Sequence, residues 1–273
     1  MVSLVAIAVN SPVERAPLDR AVPAIAVHEL SKSFLSRHGT VLALQGVSLE
    51  VEEGAFLSVL GPSGCGKSTL MRIIAGLVPH ESGKVAVRGR QVIQPRDEVG
   101  VVFQTPNLLP WRTVLGNLRL GLEIKGRVPS DIKTQLSAIV HLLGLEGFER
   151  SYPHELSGGM QQRAALGQVL MLQPQILLMD EPFGALDALT RDKMNIELLR
   201  IWEEQRQTTL FVTHSIQEAV FLSDRVVVFS PRPGRIVDNI RIDLPRPRKV
   251  RDVRRSQQFN DYVLRLGEIM GVS

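Results

Sequence analysis

A chain of 273 residues, 44% hydrophobic and 22% charged, is long enough to bury a core of ordinary globular size. Its formal net charge of +4 is too small to mark a polyanion binder, and its one cysteine, Cys65, excludes an intrachain disulfide framework. No apolar run reaches the ~18 residues of a membrane helix. The apolar start before Glu14, Arg15, Asp19 and Arg20 lacks the basic flank of a signal peptide, so 1–22 reads as a loose leader.

In chain order, Ile25 and Val27, then Val47, Leu49 and Val51, alternate with small or polar residues, the period of half-buried strands. Residues 55–60 form a short apolar run halted by Gly61, which predicts a strand covered on both faces. Val85 and Val87 alternate again, and 99–103 predicts a further strand. The texture then changes: 105–112 holds two prolines, an asparagine and a tryptophan, the composition of an exposed loop. Ile132, Leu136, Ile139, Val140 and Leu143 recur at helical spacing, with Ser130 available as N-cap and Gly144 as stop. A helical insert over about 106–160 thus divides a sheet domain spanning 23–245.

Strands resume at 176–179, 208–213 and 225–229, and a helix carrying Met194, Leu198, Ile201 and Trp202 lies among them. Strands alternating with helices imply an α/β fold with a largely parallel sheet. Pro231-Arg232-Pro233-Gly234 is a turn. Residues 246–273 form a tail: 246–255 is basic and reads as a flexible, solvated strap, and Phe259, Tyr262, Val263, Leu266 and Met270 outline a last amphipathic helix. The strap has no interleaved aromatics, which argues against a nucleic-acid partner.

Two segments carry phosphate chemistry. Gly61-Pro62-Ser63-Gly64-Cys65-Gly66-Lys67-Ser68 fits the pattern of a phosphate-binding loop, with an apolar strand before it and a helical stretch from Thr69 to Ala75 after it. Glycines let successive N–H groups face inward as an anion nest, and the following helix adds its positive end. Lys67 can reach the β- and γ-phosphates, and the Ser68 hydroxyl can ligate Mg²⁺. Cys65 reads as a small filler in this loop, or as a thiol sharpened by a helix N-terminus. The second segment, Ile176-Leu177-Leu178-Met179-Asp180-Glu181, delivers two carboxylates at the end of a buried strand: Asp180 for Mg²⁺, Glu181 to polarise an attacking water. His214 directly follows another strand, where it could touch the γ-phosphate, and Gln104 ends the strand before the insert.

Leu156-Ser157-Gly158-Gly159-Met160-Gln161-Gln162-Arg163 resembles the signature segment of ABC ATPases and stands between loop and acidic strand, the order that family uses. Ser157 and two glycines opening a helix leave N–H groups and a hydroxyl facing outward. The resemblance covers about 25–244. It implies a RecA-like P-loop ABC core with an antiparallel β subdomain and an inserted helical subdomain, and ATP and Mg²⁺ as cofactors. It further implies that Phe34 stacks on adenine, that Gly61 to Thr69 bind phosphate, and that Gln104 contacts Mg²⁺ and water. Ser157, Gly158 and Gly159 then act across a dimer of two copies, Asp180 and Glu181 are metal ligand and catalytic base, Ala185-Leu186-Asp187 links the two sites, and His214 is the switch histidine.

Departures from the pattern are Met160 in place of glutamine, Gly167-Gln168 where many members have Ala-Arg, and a long 35–41 stretch after Phe34. Pro231 to Arg235, Leu244-Pro245-Arg246-Pro247-Arg248 and Asn107-Leu108-Leu109-Pro110-Trp111 resemble importer subunits for nitrate, sulfonates and taurine. This implies a peripheral ATPase on the cytoplasmic face of the inner membrane. Its partners would be an integral membrane permease, gripped by 105–117, and indirectly a solute-binding protein. The alternatives are a soluble ABC ATPase of assembly or repair, and a regulatory ATP binder. One cassette, one cysteine and the presence of Glu181 speak against them.

Overall fold

A computed structural model describes residues 22–36 and 39–272, so the leader expected over 1–22 lies, apart from Val22, outside the described residues. Two sheets carry the architecture. The first is antiparallel and four-stranded, in the order β2 (Gly39–Val51), β1 (Ile25–Ser36), β4 (Ser82–Val87), β5 (Arg90–Gln91). The second runs β10 (Ile236–Arg241), β9 (Arg225–Phe229), β3 (Phe56–Leu60), β8 (Thr208–Thr213), β7 (Ile176–Asp180), β6 (Val99–Val102). All its pairings are parallel except that of β9 with β10. Every residue of β3, β7 and β8 is buried, as expected of central strands covered on both faces.

Between the sheets lies α1 (Lys67–Ile74), whose Leu70, Met71, Ile73 and Ile74 share one core with Val47 and Val51 of β2 and Val59 of β3. The opposite face of the parallel sheet is covered by α6 (Ala188–Gln205) and α7 (Ile216–Leu222), around Phe56, Trp202 and Phe211. Phe56 meets Trp202 edge-on at 5.7 Å between ring centroids.

The insert contains α2 (Val114–Leu118), α3 (Leu120–Ile124), α4 (Ile132–Leu142) and α5 (Gly158–Leu170), so its helical part runs past the expected end at 160. Asp131, not Ser130, holds the N-cap position of α4, without a side-chain bond. At the other end Gly144 adopts φ 58 as foreseen, and the Leu145 N–H returns to the Val140 carbonyl. Gly167 has a packing reason: a Cβ there would stand 2.5 Å from Leu143 Cδ1 and 2.7 Å from Leu118 Cδ2. Gly167→Ala is expected to cost about 1–3 kcal/mol through overpacking, read as a lowered denaturation midpoint at unchanged m-value.

The tail corrects the reading of a solvated strap. Arg246 stacks 4.1 Å from the Trp202 centroid and donates to Asp224 (2.9 Å) and the Leu222 carbonyl (2.8 Å). Arg248 is buried and donates to the Val220 and Phe221 carbonyls at the end of α7. Burial first, and the Arg246 charge second, lower its guanidinium to about 10. After α8 (Val250–Val253), Arg254 makes a bidentate pair with Asp192 of α6 at 2.6 and 2.7 Å. The predicted last helix is α9 (Gln257–Met270), seated through Phe259 and Leu266.

Candidate nucleotide site

The carboxyl ends of β3, β8, β7 and β6 share one edge of the sheet, and that register gathers the chemistry. Leu60 pairs with Thr213, so the phosphate loop leaves β3 beside the strand that ends next to His214. Asp180 pairs with Val212, and Val102 with Met179, which places Gln104 next to the acidic pair. Close packing sets the loop's conformation. Gly66, at φ 108, has room for no Cβ: one would lie 2.7 Å from the Ala43 carbonyl oxygen of β2. Phe34 pairs with Val41 on the neighbouring strand, is 41% exposed, and has the Lys32 ammonium 5.1 Å from its ring centroid.

Lys67 is buried at the first position of α1, with its ammonium on the carbonyls of Gly61 (2.8 Å) and Pro62 (2.9 Å). The hydroxyl of Ser68 donates to Asp180 Oδ1 at 2.9 Å, joining the phosphate loop to the acidic strand. Asp180 is 1% exposed, and no lysine or arginine forms an ion pair with it among the described residues. Burial pushes its carboxyl up, the Ser68 hydrogen bond opposes this, and the Glu181 charge adds to the rise. The Arg72 and Lys67 charges pull the other way. A buried carboxylate beside a hydroxyl is a hard-oxygen donor set that suits a divalent cation. Among the described residues no group of three or more His, Cys, Asp or Glu is arranged to hold a metal.

Glu181 has φ 45, a left-handed backbone rare outside glycine, at the residue expected to handle water. Its Oε2 lies 3.4 Å from the Gln104 amide and 3.2 Å from His214 Nδ1. Gln104, Glu181 and His214 therefore meet at one oxygen, whereas Ser157 to Gly159 open α5 on the insert. Ser157 caps α5 by accepting from the Met160 N–H, and Ser157 and Gly158 are exposed. A Cβ on Gly158 would meet nothing within 4 Å, while one on Gly159 would lie 2.7 Å from Leu186 Cδ2. Asp187 caps α6 through the Thr190 N–H at 3.0 Å, and the Thr190 side chain first, with that N–H second, holds its carboxyl below the usual range. Cys65 is 1% exposed with its thiol pushed up by burial, a placement that fits the small filler rather than a sharpened thiol.

One participant escaped the sequence reading. The buried Gln162 donates to the carbonyls of both Gln104 (3.2 Å) and Glu181 (3.3 Å), tying the signature helix to the hydrolytic edge. Its position one helical turn after Gly158 was the available signal.

With that geometry in hand, comparison with known proteins gives a consistent result. A family model described as ABC transporter matches residues 44–184. An uncharacterized ABC transporter ATP-binding protein of Methanocaldococcus jannaschii is 51% identical over 245 residues, covering 89% of this chain and 90% of that one. The aliphatic sulfonates import ATP-binding protein of Bacillus cereus is 44% identical over 224 residues, 82% of this chain and 88% of its own. Among solved structures, the dimeric post-hydrolysis state of an ATP-binding cassette bound to ADP and Pi superposes with a TM-score of 0.73 at 30% identity, covering 81% of this chain and all of that one. The mixed mostly parallel sheet, the antiparallel subdomain and the sequence likeness agree: this chain belongs to the ABC transporter family of ATP-binding proteins.

Proposed function

We propose that this chain hydrolyses ATP as the paired motor subunit of a membrane importer for a small organic anion of the sulfonate kind. The observation that carries the proposal is the division of the site. Loop, acidic pair, Gln104 and His214 converge on one sheet edge, while an exposed, serine-capped helix start stands on the insert, free to serve another molecule's phosphates. Two copies facing each other complete two pockets, each with a loop from one chain and Ser157, Gly158 and Gly159 from the other.

Within a pocket, Phe34 stacks on the base, and the N–H groups from Gly61 to Thr69 with Lys67 hold the phosphates. Mg²⁺, held by Ser68 and Asp180 with Gln104 nearby, would neutralise charge on the β- and γ-phosphates. Glu181 accepts a proton from the attacking water, and His214 and Gln104 hold that carboxylate and the water in place. Asp187, capping α6 beside Leu186 and Gly159, relays the state of one pocket to the other. Loss of the γ-phosphate removes contacts that only the closed pair makes, and the clamp opens.

No helix among the described residues is long and apolar enough to cross a membrane. Attachment to the inner face of the membrane then runs through the permease, and contact with a solute-binding protein is indirect. Residues 105–117 are built to present a surface. The buried Asn117 accepts from the Leu109 N–H at 2.7 Å and donates to the carbonyls of Leu109, Arg112 and Thr113, and the clasped loop holds Trp111 out at 70% exposure. Affinity capture from detergent-solubilised membranes should recover a multi-span protein with the parent chain and lose it with Trp111→Ala, at unchanged basal ATPase. Recovery of a soluble assembly partner instead would favour the non-transport class.

A further inference from the structure

The turn between β9 and β10 touches the phosphate loop from behind. Arg232 Nε and Nη2 both donate to the Gly64 carbonyl, at 3.2 and 3.0 Å. The turn that carries this side chain is firmly placed. The Gly234 N–H donates to the Ala43 carbonyl at 2.9 Å, and the Gly234 carbonyl accepts from Gln45 at 3.0 Å, so the turn is stitched to β2. A Cβ on Gly234 would overlap the Cys65 carbonyl oxygen, so the backbone lies directly against the loop. Inside the turn, the Ser230 hydroxyl donates to the carbonyls of Pro231 (2.8 Å) and Pro233 (3.0 Å) and accepts from the Arg235 N–H (3.1 Å). Arg235 in turn reaches Gln45 of β2 at 3.1 Å.

We infer that Arg232 is a positioning residue for nucleotide binding, holding the Gly64–Cys65 peptide, whose oxygen it takes from outside and whose N–H closes the loop's turn on the Pro62 carbonyl at 3.4 Å, in the shape that cradles the phosphates. This rests on the nucleotide reading of the loop given above. The Gly64 carbonyl and the Cys65 N–H are two ends of one planar unit. A guanidinium on the oxygen end makes charge-assisted bonds that polarise the unit and strengthen its N–H as a donor. The same pair of bonds opposes rotation of the peptide, which would open that turn. Gly64 has φ +75, a conformation glycine leaves easily, so an external fastening has something to hold. The Arg232 charge also reaches the loop interior, where with Lys67 it opposes the burial that pushes the Cys65 thiol up. Lys67 thus acts on the phosphates from inside the cleft, and Arg232 acts on the cradle from its outer side.

The test compares the parent chain with Arg232→Ala and Arg232→Lys, using ATP with MgCl2 in binding and steady-state assays across a salt series. Arg232→Ala should raise Kd and KM about 5–20-fold while kcat moves less than about twofold. Lysine, which keeps the charge but not the paired bonds, should recover part of the loss and restore the parent's salt dependence. Arg232 is exposed, so the melting midpoint should match the parent's, a result that separates positioning from folding. A parent chain that fails to bind ATP overturns both readings. A parent that binds, with Arg232→Ala within about twofold of its Kd, overturns only this one.

Discussion

Glu181→Gln should bind ATP with the parent's affinity and lose turnover by about 10²–10⁴-fold, the usual worth of a positioned general base. The substitution is nearly isosteric and keeps an oxygen near Gln104 and His214, so the pocket retains its shape while the water loses its proton acceptor. Closure depends on the γ-phosphate, and hydrolysis is what removes it. The variant should therefore accumulate as a nucleotide-bound dimer, seen as a shift to twice the mass in light scattering with ATP and not with ADP. Hydrolysis at the parent rate would remove Glu181 from its role. A monomeric variant in ATP would remove the clamp.

The second large effect concerns the proposed division of each pocket between two chains. Ser157→Arg fills the exposed mouth of α5 without touching the phosphate loop, and Lys67→Ala removes the buried cation without touching α5. Each variant alone should lose about 10²-fold or more of turnover, the scale of a missing oxyanion or phosphate donor. Mixed together, they can form a dimer in which one pocket combines an intact loop from the Ser157→Arg chain with an intact signature from the Lys67→Ala chain. ATPase activity should return on mixing, following the product of the two concentrations. Activity that never returns, or that survives in Ser157→Arg alone, would show that a chain does not depend on its partner's helix start.

Most of the candidate site is legible in the sequence because its chemistry is local. A glycine-rich loop between an apolar strand and a helix, or two acids closing a buried strand, declares itself within a few residues. Glu181, Asp180, Lys67 and Ser68 were visible in that way, and the register of β3, β7 and β8 brings them together. The features that escaped depend on distance along the chain. Gln162 acts on carbonyls of Gln104 and Glu181, which no spacing rule connects. The basic tail misled because Arg246 and Arg248 look solvated by composition. Their partners, the Trp202 ring and the last carbonyls of α7, lie far earlier in the sequence. Gly167 is a similar case: as a departure from the family pattern it has no meaning until Leu118 and Leu143 are seen to close on it.

The anchoring of the tail bears on how such a protein can be cut or fused. A chain trimmed after Pro245 would keep every group proposed to meet nucleotide, yet it would strip the donors from the end of α7 and leave Asp192 without its fork of hydrogen bonds. Helix α7 starts two residues after His214, and α6 is capped by Asp187. Shortening the polypeptide would thus loosen the two helices that follow Asp187 and His214. A reporter domain meant to leave catalysis alone belongs after Met270, beyond the last seated helix.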